Sequence, residues 1–181
     1  HFKSLAEFIR NHLKDKISAV HLLPFFPFSS DDGFSVIDYR EVDPELGNWS
    51  DIENIGNNYK LMFDAVINHC SSQSEMFQGF LKGDPAYADF FSVVEPGTDL
   101  TRVFRPRATP LVTPYQTNEG EKLVWTTFSA DQVDLNFKNP EVLLEVVRIL
   151  LFYVANGAEF IRFDAVTYVW KELWTNCINL L

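Results

Sequence analysis

The chain has 181 residues, and its 46% hydrophobic content is enough for one domain with a sizeable core. A formal net charge of -10 argues against nucleic acid and anionic membrane surfaces as partners, because both attract basic patches. Cys70 and Cys177 are the only cysteines, which excludes a disulfide framework or a zinc ribbon and favours a cytoplasmic location over secretion.

The first predicted element is an amphipathic helix. Apolar residues recur at helical spacing over residues 4–14, and Ser4 with Glu7 fits a capping box. The first residues have neither an initiator Met nor the layout of a signal peptide, so we interpret the chain as a fragment of a longer protein. No segment reaches the roughly 20 apolar residues of a membrane span.

Two buried strands come next, with a short helix between them. The apolar run over residues 17–26 ends in prolines, which are typical of strand ends. Residues 50–53 have the Ser-x-x-Glu spacing of a second capping box, which predicts the start of the short helix. The second strand is predicted over residues 60–69.

The following segment, residues 71–136, is irregular and contains several Gly and Pro residues. It includes one hairpin-like stretch over residues 123–128. Because its aromatic side chains need burial, we interpret the segment as an inserted subdomain rather than a linker.

The last two elements form a clearly delimited pair. Asn139 is the predicted N-cap of a helix, Pro140 suits its first position, and Gly157 suits the left-handed position after its end. A buried strand over residues 158–166 follows at once. The alternation of helices with continuously apolar strands is an α/β pattern and indicates a parallel sheet or barrel.

Two charges interrupt the last strand. Arg162 and Asp164 are two residues apart, so their side chains point to the same face of the sheet and can pair. A nearby guanidinium favours the ionised carboxylate, and an ionised, partly buried Asp is suited to act as a nucleophile. A structural buried salt bridge explains the same pattern.

A second polar group lies at the end of the strand over residues 60–69. Asp64, Asn68 and His69 gather there, where active sites are built if the sheet is a barrel. Each also has an ordinary explanation, since Asp64 and Asn68 could cap loop amides and His69 could be a core histidine. The sequence has no compact cluster of metal ligands, so we predict no metal site.

Together these stretches form a known pattern. D-x-x-x-N-H at residues 64–69 and G-x-x-x-I-R-x-D-A at residues 157–165, with the short motif "QVDLN" at residues 132–136 between them, resemble the α-amylase superfamily (glycoside hydrolase family thirteen).

The resemblance extends to one branch of that superfamily. The stretch at residues 21–53, "RPR" at 105–107, "LVWTTFSADQVDLN" at 123–136 and "TNC" at 175–177 are similar to the sucrose phosphorylase group. The form "DDGFSVIDY" at residues 31–39 is more similar to its glucosylglycerate and glucosylglycerol phosphorylase relatives.

The resemblance implies a (β/α)8 TIM barrel, present here as about strands two to four with an irregular inserted B subdomain. We expect residues 1–70 to be the N-terminal barrel portion, 71–138 the B subdomain and 139–181 the continuation of the barrel. The superfamily also uses a Glu general acid/base on the fifth strand and a further Asp on the seventh. Both are expected outside this sequence.

The resemblance also implies roles for eight residues. Asp164 matches the catalytic nucleophile and Arg162 the arginine that orients it. The predicted substrate contacts are Asp31 and His69 on the glucosyl unit, Phe34 as an aromatic platform beside it, Tyr168 lining the same pocket, Gln132 near the acceptor, and Arg107 in a loop linked with phosphate. Arg107 could equally be a solvated loop charge.

The implied reaction is retaining glucosyl transfer from an α-glucoside such as sucrose or glucosylglycerate to inorganic phosphate, without a cofactor. A homodimer is possible. A hydrolase or transglucosidase of the same superfamily, a non-catalytic member and an inactive fragment remain open alternatives. Trp174 and Leu181 stand where the branch would have Gly and Pro, so the loop after the nucleophile is expected to differ.

Overall fold

The computed structural model describes residues 1–179, and within this range the chain forms four α-helices and eight β-strands. The helices are α1 (Phe2–His12), α2 (Trp49–Gly56), α3 (Glu75–Lys82) and α4 (Pro140–Ala155). The strands are β1 (Ala19–Leu22), β2 (Lys60–Val66), β3 (His69–Ser71), β4 (Val93–Val94), β5 (Val112–Thr117), β6 (Gly120–Trp125), β7 (Gln132–Asp134) and β8 (Ala158–Asp164). Short 3-10 turns cover Asp31–Gly33, Pro85–Tyr87 and Val166–Tyr168.

A parallel three-stranded sheet in the order β1-β2-β8 forms the centre of the molecule. Its register places Asp64 of β2 directly opposite Arg162 of β8. The predicted strands exist but are shorter than expected. β1 stops before Pro24, because proline cannot donate to a sheet ladder. β8 stops at Asp164, because Ala165 adopts a left-handed backbone with φ of 52°.

The predicted strand over residues 60–69 is two elements. β2 ends at Val66, and the chain then turns so that His69 opens β3, which pairs antiparallel with β7. The ladder brings His69 opposite Asp134 and Ser71 opposite Gln132. The motif at residues 64–69 is therefore hydrogen-bonded to the motif at residues 132–136.

The two predicted capping boxes near the N-terminus are wrong in position. The N-cap of α1 is His1, which makes no side-chain capping bond, so no box forms at Ser4. At α2 the box is formed by Asn48 and Asp51, two residues before the predicted pair that begins at Ser50. Asn48 fits because its side-chain oxygen accepts from free amides of the first helical turn.

The predicted ends of α4 are confirmed. The Asn139 side chain accepts from the amide of Glu141, and Pro140 occupies the first turn, where its missing amide proton is no loss. Gly157, just past the helix end, has φ of 96°, a conformation that glycine adopts without strain.

The irregular segment folds around an antiparallel sheet in the order β4-β6-β5. β5 and β6 form the hairpin, which is centred earlier than the predicted stretch over residues 123–128. A small apolar cluster that includes Trp125 and Cys177 packs beside it. The division into residues 1–70, 71–138 and 139–181 stays a prediction.

The main core is rich in aromatic side chains. Phe26 stacks on Tyr153 of α4 with ring centroids 5.0 Å apart, and Phe25 meets Phe63 of β2 edge-on at 5.0 Å. These contacts fix α4 over the sheet and with it the start of β8.

Part of the sheet and of α4 remains uncovered within residues 1–179. β1 and β8 each pair along one side only. Large apolar side chains are exposed on the outer faces of α4 and β8, namely Leu143, Leu144, Val147, Leu151, Val154, Phe160 and Phe163. None of the helices in the described residues is both long and apolar enough to cross a membrane.

Candidate active site

A cavity of about 350 Å³ opens at the C-terminal ends of β2 and β8. Its lining combines carboxylates, a guanidinium and aromatic rings: Asp31, Asp32, Phe34, His69, Arg107, Phe128, Gln132 and Asp164. Six of the eight predicted site residues are among them, although they come from five separate stretches of the sequence. Of the other two, Arg162 contacts Asp164 and Tyr168 contacts Phe128.

Asp164 and Arg162 form the predicted pair at the end of β8. Arg162 Nη2 lies 3.2 Å from Asp164 Oδ1. Arg162 also donates from Nη1 to Asp64, whose carboxylate is 0% exposed. Asp64 accepts a further bond from His21 Nε2 at 2.8 Å. Asp64 thus anchors the guanidinium that faces Asp164.

The direction of the Asp164 pKa shift differs from the simple expectation. Burial raises the pKa of Asp164, and although Arg162 and His69 oppose this, the net pKa lies above the usual value of an aspartate. The nearby arginine therefore limits the upward shift rather than depressing the pKa outright. Desolvation of Asp164 could not be predicted from the sequence, because it depends on how deeply the strand end is enclosed.

His69 is fully enclosed, with 1% of its surface exposed. Its Nε2 donates to the carbonyl of Phe34 at 2.9 Å, and since a carbonyl can only accept, Nδ1 is the acceptor for the Asn68 amide at 3.2 Å. Burial lowers the pKa of His69, and Asp134 and Asp164 only partly offset that effect. The ring is held neutral and fixed in one orientation.

Asp31 is held by two predicted site residues. Arg107 donates to both carboxylate oxygens, at 3.0 to 3.2 Å, and Gln132 Nε2 donates to Oδ2 at 2.9 Å. Burial raises the pKa of Asp31, but the bonds from Arg107 and Gln132 outweigh it and the pKa lies below the usual value. Asp31 is therefore a carboxylate that presents acceptors to the cavity.

Arg107 is positioned by more than its ion pair. Its guanidinium lies 5.7 Å from the ring centre of Phe128, within cation–π range. The neighbouring Arg105 is turned away and donates to the carbonyls of Ala108 and Thr109. Of these two arginines only Arg107 lines the cavity, which favours the site interpretation over that of a solvated loop charge.

Phe128 is a cavity residue that the sequence analysis did not single out. Its ring lies 5.1 Å from His69 and meets Tyr168 edge-on at 5.4 Å. Tyr168 sits in the turn after β8 and also stacks with Phe104 at 6.4 Å. Position alone could have indicated Phe128, since it follows the hairpin strand and precedes the motif that carries Gln132.

Lys171 is a second residue that sequence reasoning missed. Its Nζ lies 2.7 Å from Asp134 and donates to Asn68 Oδ1 at 2.8 Å, while only 10% of the side chain is exposed. Asn68 in turn donates to Asp134 at 3.1 Å. This buried network joins the turn after β8 to the ends of β2 and β7.

Trp174, which stands where the branch would have glycine, has φ of 73° and an exposed side chain. A left-handed backbone is the conformation that glycine favours, so the tryptophan at this position is strained, and the expectation that this loop differs from the branch stays a prediction. Leu181, where proline was expected, lies outside the described residues.

No group of three or more His, Cys, Asp or Glu side chains that could hold a metal ion occurs among the residues that the structure describes. The polar groups of the cavity are instead carboxylates, an imidazole, an amide and a guanidinium, which suit hydroxyl groups and anions.

A sequence model of the α-amylase catalytic domain matches residues 11–176. The chain belongs to this family. Its parallel sheet is therefore part of the family's TIM barrel, and the predicted family and fold class are confirmed.

Two curated relatives place the chain within the family. It is 60% identical over 176 residues to a glucosylglycerate phosphorylase of Spirochaeta thermophila, an alignment that covers 97% of this chain and 30% of the relative. It is 37% identical over 187 residues to a sucrose phosphorylase of Streptococcus mutans, covering 96% of this chain and 38% of the relative. The predicted similarity to this branch is confirmed.

One solved structure superposes over nearly the whole chain. The crystal structure of the sucrose 6F-phosphate phosphorylase from Thermoanaerobacter thermosaccharolyticum matches with a TM-score of 0.93 at 31% identity, covering 99% of this chain and 40% of that protein. The chain thus spans between 30% and 40% of the length of these relatives.

Proposed function

We propose that the protein carrying this chain is a retaining α-glucoside phosphorylase, with Asp164 as its nucleophile. The observation that carries the proposal is the convergence of Asp164, Asp31, His69 and Gln132 on one cavity. A carboxylate backed by a guanidinium can attack an anomeric carbon, and fixed acceptors and donors around it can grip sugar hydroxyls.

The proposed reaction uses a nucleophilic carboxylate and the hydrogen-bonding groups around it. An Asp164 oxygen attacks the anomeric carbon as the bond to the leaving oxygen breaks, which forms a glucosyl ester on Asp164. A carboxylic acid must protonate the leaving oxygen, and we assign this role to the glutamate that the family carries on its fifth strand. Phosphate then attacks the same carbon, releases Asp164 and leaves as glucose 1-phosphate with the original configuration.

Arg162 and Asp64 support this reaction indirectly. Arg162 holds Asp164 from one side and limits the rise of its pKa, so that the carboxylate is available to attack near neutral pH. Asp64 keeps the guanidinium in place from the neighbouring strand β2. Both interactions join residues of the parallel sheet.

Arg107 supports phosphate as the acceptor. It is a cation at the cavity wall, and a guanidinium matches phosphate oxygens with paired hydrogen bonds. Its guanidinium also pairs with Asp31. An incoming phosphate would compete for the guanidinium on the acceptor side of the sugar.

Glucosylglycerate is the donor that we propose. The support is the identity of 60% to the Spirochaeta enzyme of that name, against 37% to the Streptococcus sucrose phosphorylase. The reaction requires no cofactor beyond phosphate as co-substrate. A cytoplasmic location and a homodimer are further proposals, and neither nucleic acid nor membrane is proposed as a partner.

The test is phosphate dependence in the full-length protein. We expect glucosylglycerate consumption to require phosphate and to yield α-glucose 1-phosphate, detected by nuclear magnetic resonance of the anomeric proton. Sucrose serves as the competing donor. Turnover that is indifferent to phosphate and yields free glucose would assign the protein to the hydrolases. Transfer to a second sugar without phosphate would assign it to the transglucosidases.

A further inference from the structure

Asp131 is a carboxylate surrounded by serine hydroxyls. Its Oδ2 accepts from Ser29 and Ser30 at 2.5 Å and from Ser35 at 2.8 Å. Its Oδ1 accepts from Ser72 at 2.6 Å. Four side-chain donors thus converge on one carboxylate that is not among the cavity-lining residues and has no part in the reaction derived above.

Three of these serines lie on the loop that carries Asp31 and Phe34. Ser29 and Ser30 precede the turn Asp31–Gly33 and Ser35 follows it, so one carboxylate grips the loop on both sides of the turn. The backbone closes the same loop, because the amide of Ser29 donates to the carbonyl of Ser35 at 3.1 Å.

The turn itself is strained. Asp31 and Asp32 have φ of 56° and 52°, in the left-handed region that non-glycine residues rarely adopt. Gly33, with φ of 102°, leaves no room for a side chain, since an added Cβ would lie 2.7 Å from the carbonyl of Pro24. Such a conformation persists only where surrounding contacts enforce it, and such turns cluster at functional sites.

Asp131 also anchors the loop to the rest of the site. Its carbonyl accepts from the amide of Ser72 at 2.8 Å, directly after β3. The next residue, Gln132, donates to Asp31 Oδ2 at 2.9 Å. The side chain of Asp131 and that of its neighbour therefore hold the Asp31 turn from its base and from its tip.

The chemistry of the cluster calls for an ionised carboxylate. A carboxylate offers lone pairs on two oxygens, whereas an asparagine amide offers only one acceptor oxygen, so its NH2 group would face either Ser72 or the three loop serines. Burial raises the pKa of Asp131, but the bonds from Ser29, Ser30, Ser72 and Ser35 outweigh it and the net pKa lies below the usual value.

We propose that Asp131 is a positioning residue for glucosyl binding, which acts by holding the strained turn so that Asp31 faces the sugar. The inference rests on the proposed function only in that a glucosyl unit occupies this cavity. The identity of the acceptor does not enter it.

The experiment uses the full-length protein with Asp131→Ala and Asp131→Asn, alone and combined with Asp31→Ala. Two readouts are glucose affinity by calorimetry and kcat/KM for hydrolysis of 4-nitrophenyl α-D-glucoside, which needs no phosphate. We expect Asp131→Ala to lower kcat/KM by about 100-fold, the cost of displacing a binding group by about 1 Å. Glucose affinity should fall in the same direction, and Asp131→Asn should lie between wild type and Asp131→Ala.

The double variant separates positioning from general stabilisation. If Asp131 acts through Asp31, its effect on kcat/KM should shrink to within about threefold once Asp31 is alanine. Asp99→Ala is the matched control, because Asp99 likewise accepts from a threonine amide and hydroxyl, but in an exposed loop. This control should behave as wild type.

Two results would overturn the inference. One is full additivity of Asp131→Ala and Asp31→Ala in folded protein, and the other is unchanged glucose affinity in Asp131→Ala. If the full-length protein hydrolyses the aryl glucoside but shows no phosphorolysis, only the proposed function is contradicted. If the full-length protein neither hydrolyses the aryl glucoside nor binds glucose, both the proposed function and this inference are contradicted.

Discussion

The two sides of the cavity are built differently. On the side that we propose binds the sugar, called the sugar-binding side below, His69 and Gln132 are each 1% exposed, and their polar atoms bond to other residues of this chain. On the nucleophile side, the Asp164 side chain is 19% exposed and that of Arg162 is 45% exposed. β8, which carries both charges, pairs along one side only within the described residues.

This difference shows which part of the site is held in place by contacts within residues 1–179. The sugar-binding side is cross-linked by hydrogen bonds among β3, β7 and the Asp31 loop, so its geometry is set locally. The nucleophile side lies at the free edge of β8, so fewer contacts within the described residues hold its geometry. We therefore expect perturbations to affect the two sides separately.

The largest expected effect is the loss of all turnover in the isolated 181-residue chain. No glutamate lines the cavity in residues 1–179, and the Asp31 carboxylate is bound by Arg107 with a lowered pKa, so no proton donor for the leaving oxygen is identified. We also expect self-association, because two open strand edges and the apolar face of α4 invite pairing with another copy.

Light scattering and an assay of phosphate-dependent turnover of sucrose and glucosylglycerate check this prediction. The full-length protein is the control in both. A well-folded monomeric chain with measurable turnover would contradict the account of the nucleophile side as incomplete.

The next largest effect is expected for Asp164→Asn in the full-length protein. Asparagine keeps the shape of the side chain but removes the nucleophile, so glucosyl transfer should fall by at least about 10³-fold. Sugar phosphate release is measured beside circular dichroism, with Asp99→Asn as an exposed control. Near-normal turnover in a folded variant would remove Asp164 from the nucleophile role.

The sequence predicted the Arg162–Asp164 pair and the ends of α4 well, because these features follow from rules that act over a few residues. Arg162 and Asp164 share a face since strand side chains alternate, and Asn139, Pro140 and Gly157 delimit α4 through local backbone preferences. The family resemblance indicated the other six predicted site residues, and five of these line the cavity together with Asp164.

What the sequence could not predict depends on contacts between distant segments. Asp131 and its serines are separated by about 60 to 100 positions, and Lys171 reaches Asn68 across a similar gap. The upward shift of the Asp164 pKa was not predicted for the same reason, because desolvation depends on what surrounds the strand end.

A smaller and more selective effect is expected for Arg107→Ala. Loss of a guanidinium that pairs with phosphate should lower phosphorolysis by about 10- to 100-fold, the value of a hydrogen bond to a charged group, while hydrolysis of the same donor changes much less. Arg105→Ala is the matched control, since Arg105 bonds to loop carbonyls instead. Equal losses in both reactions would remove Arg107 from the phosphate site.

The smallest effect is a shift in pH dependence for Arg162→Gln. The positive charge of Arg162 lowers the pKa of Asp164, so its removal raises that pKa further, and the ionised nucleophile is then lost at a higher pH. The acid limb of kcat/KM should move up by about one pH unit, while Arg162→Lys keeps the charge and stays near wild type. An unmoved limb in folded Arg162→Gln protein would show that Arg162 does not tune Asp164.

The most direct test of Asp164 as the nucleophile is to find the glucosyl ester on it. Full-length protein is mixed with glucosylglycerate without phosphate, denatured in acid within the first turnover, digested and examined by mass spectrometry. We expect the peptide that contains residues 158–166 to gain the mass of one glucosyl unit at Asp164, and the adduct to disappear when phosphate is present. A glucosyl adduct on another residue, or turnover to glucose 1-phosphate with no adduct on this peptide, would contradict the account.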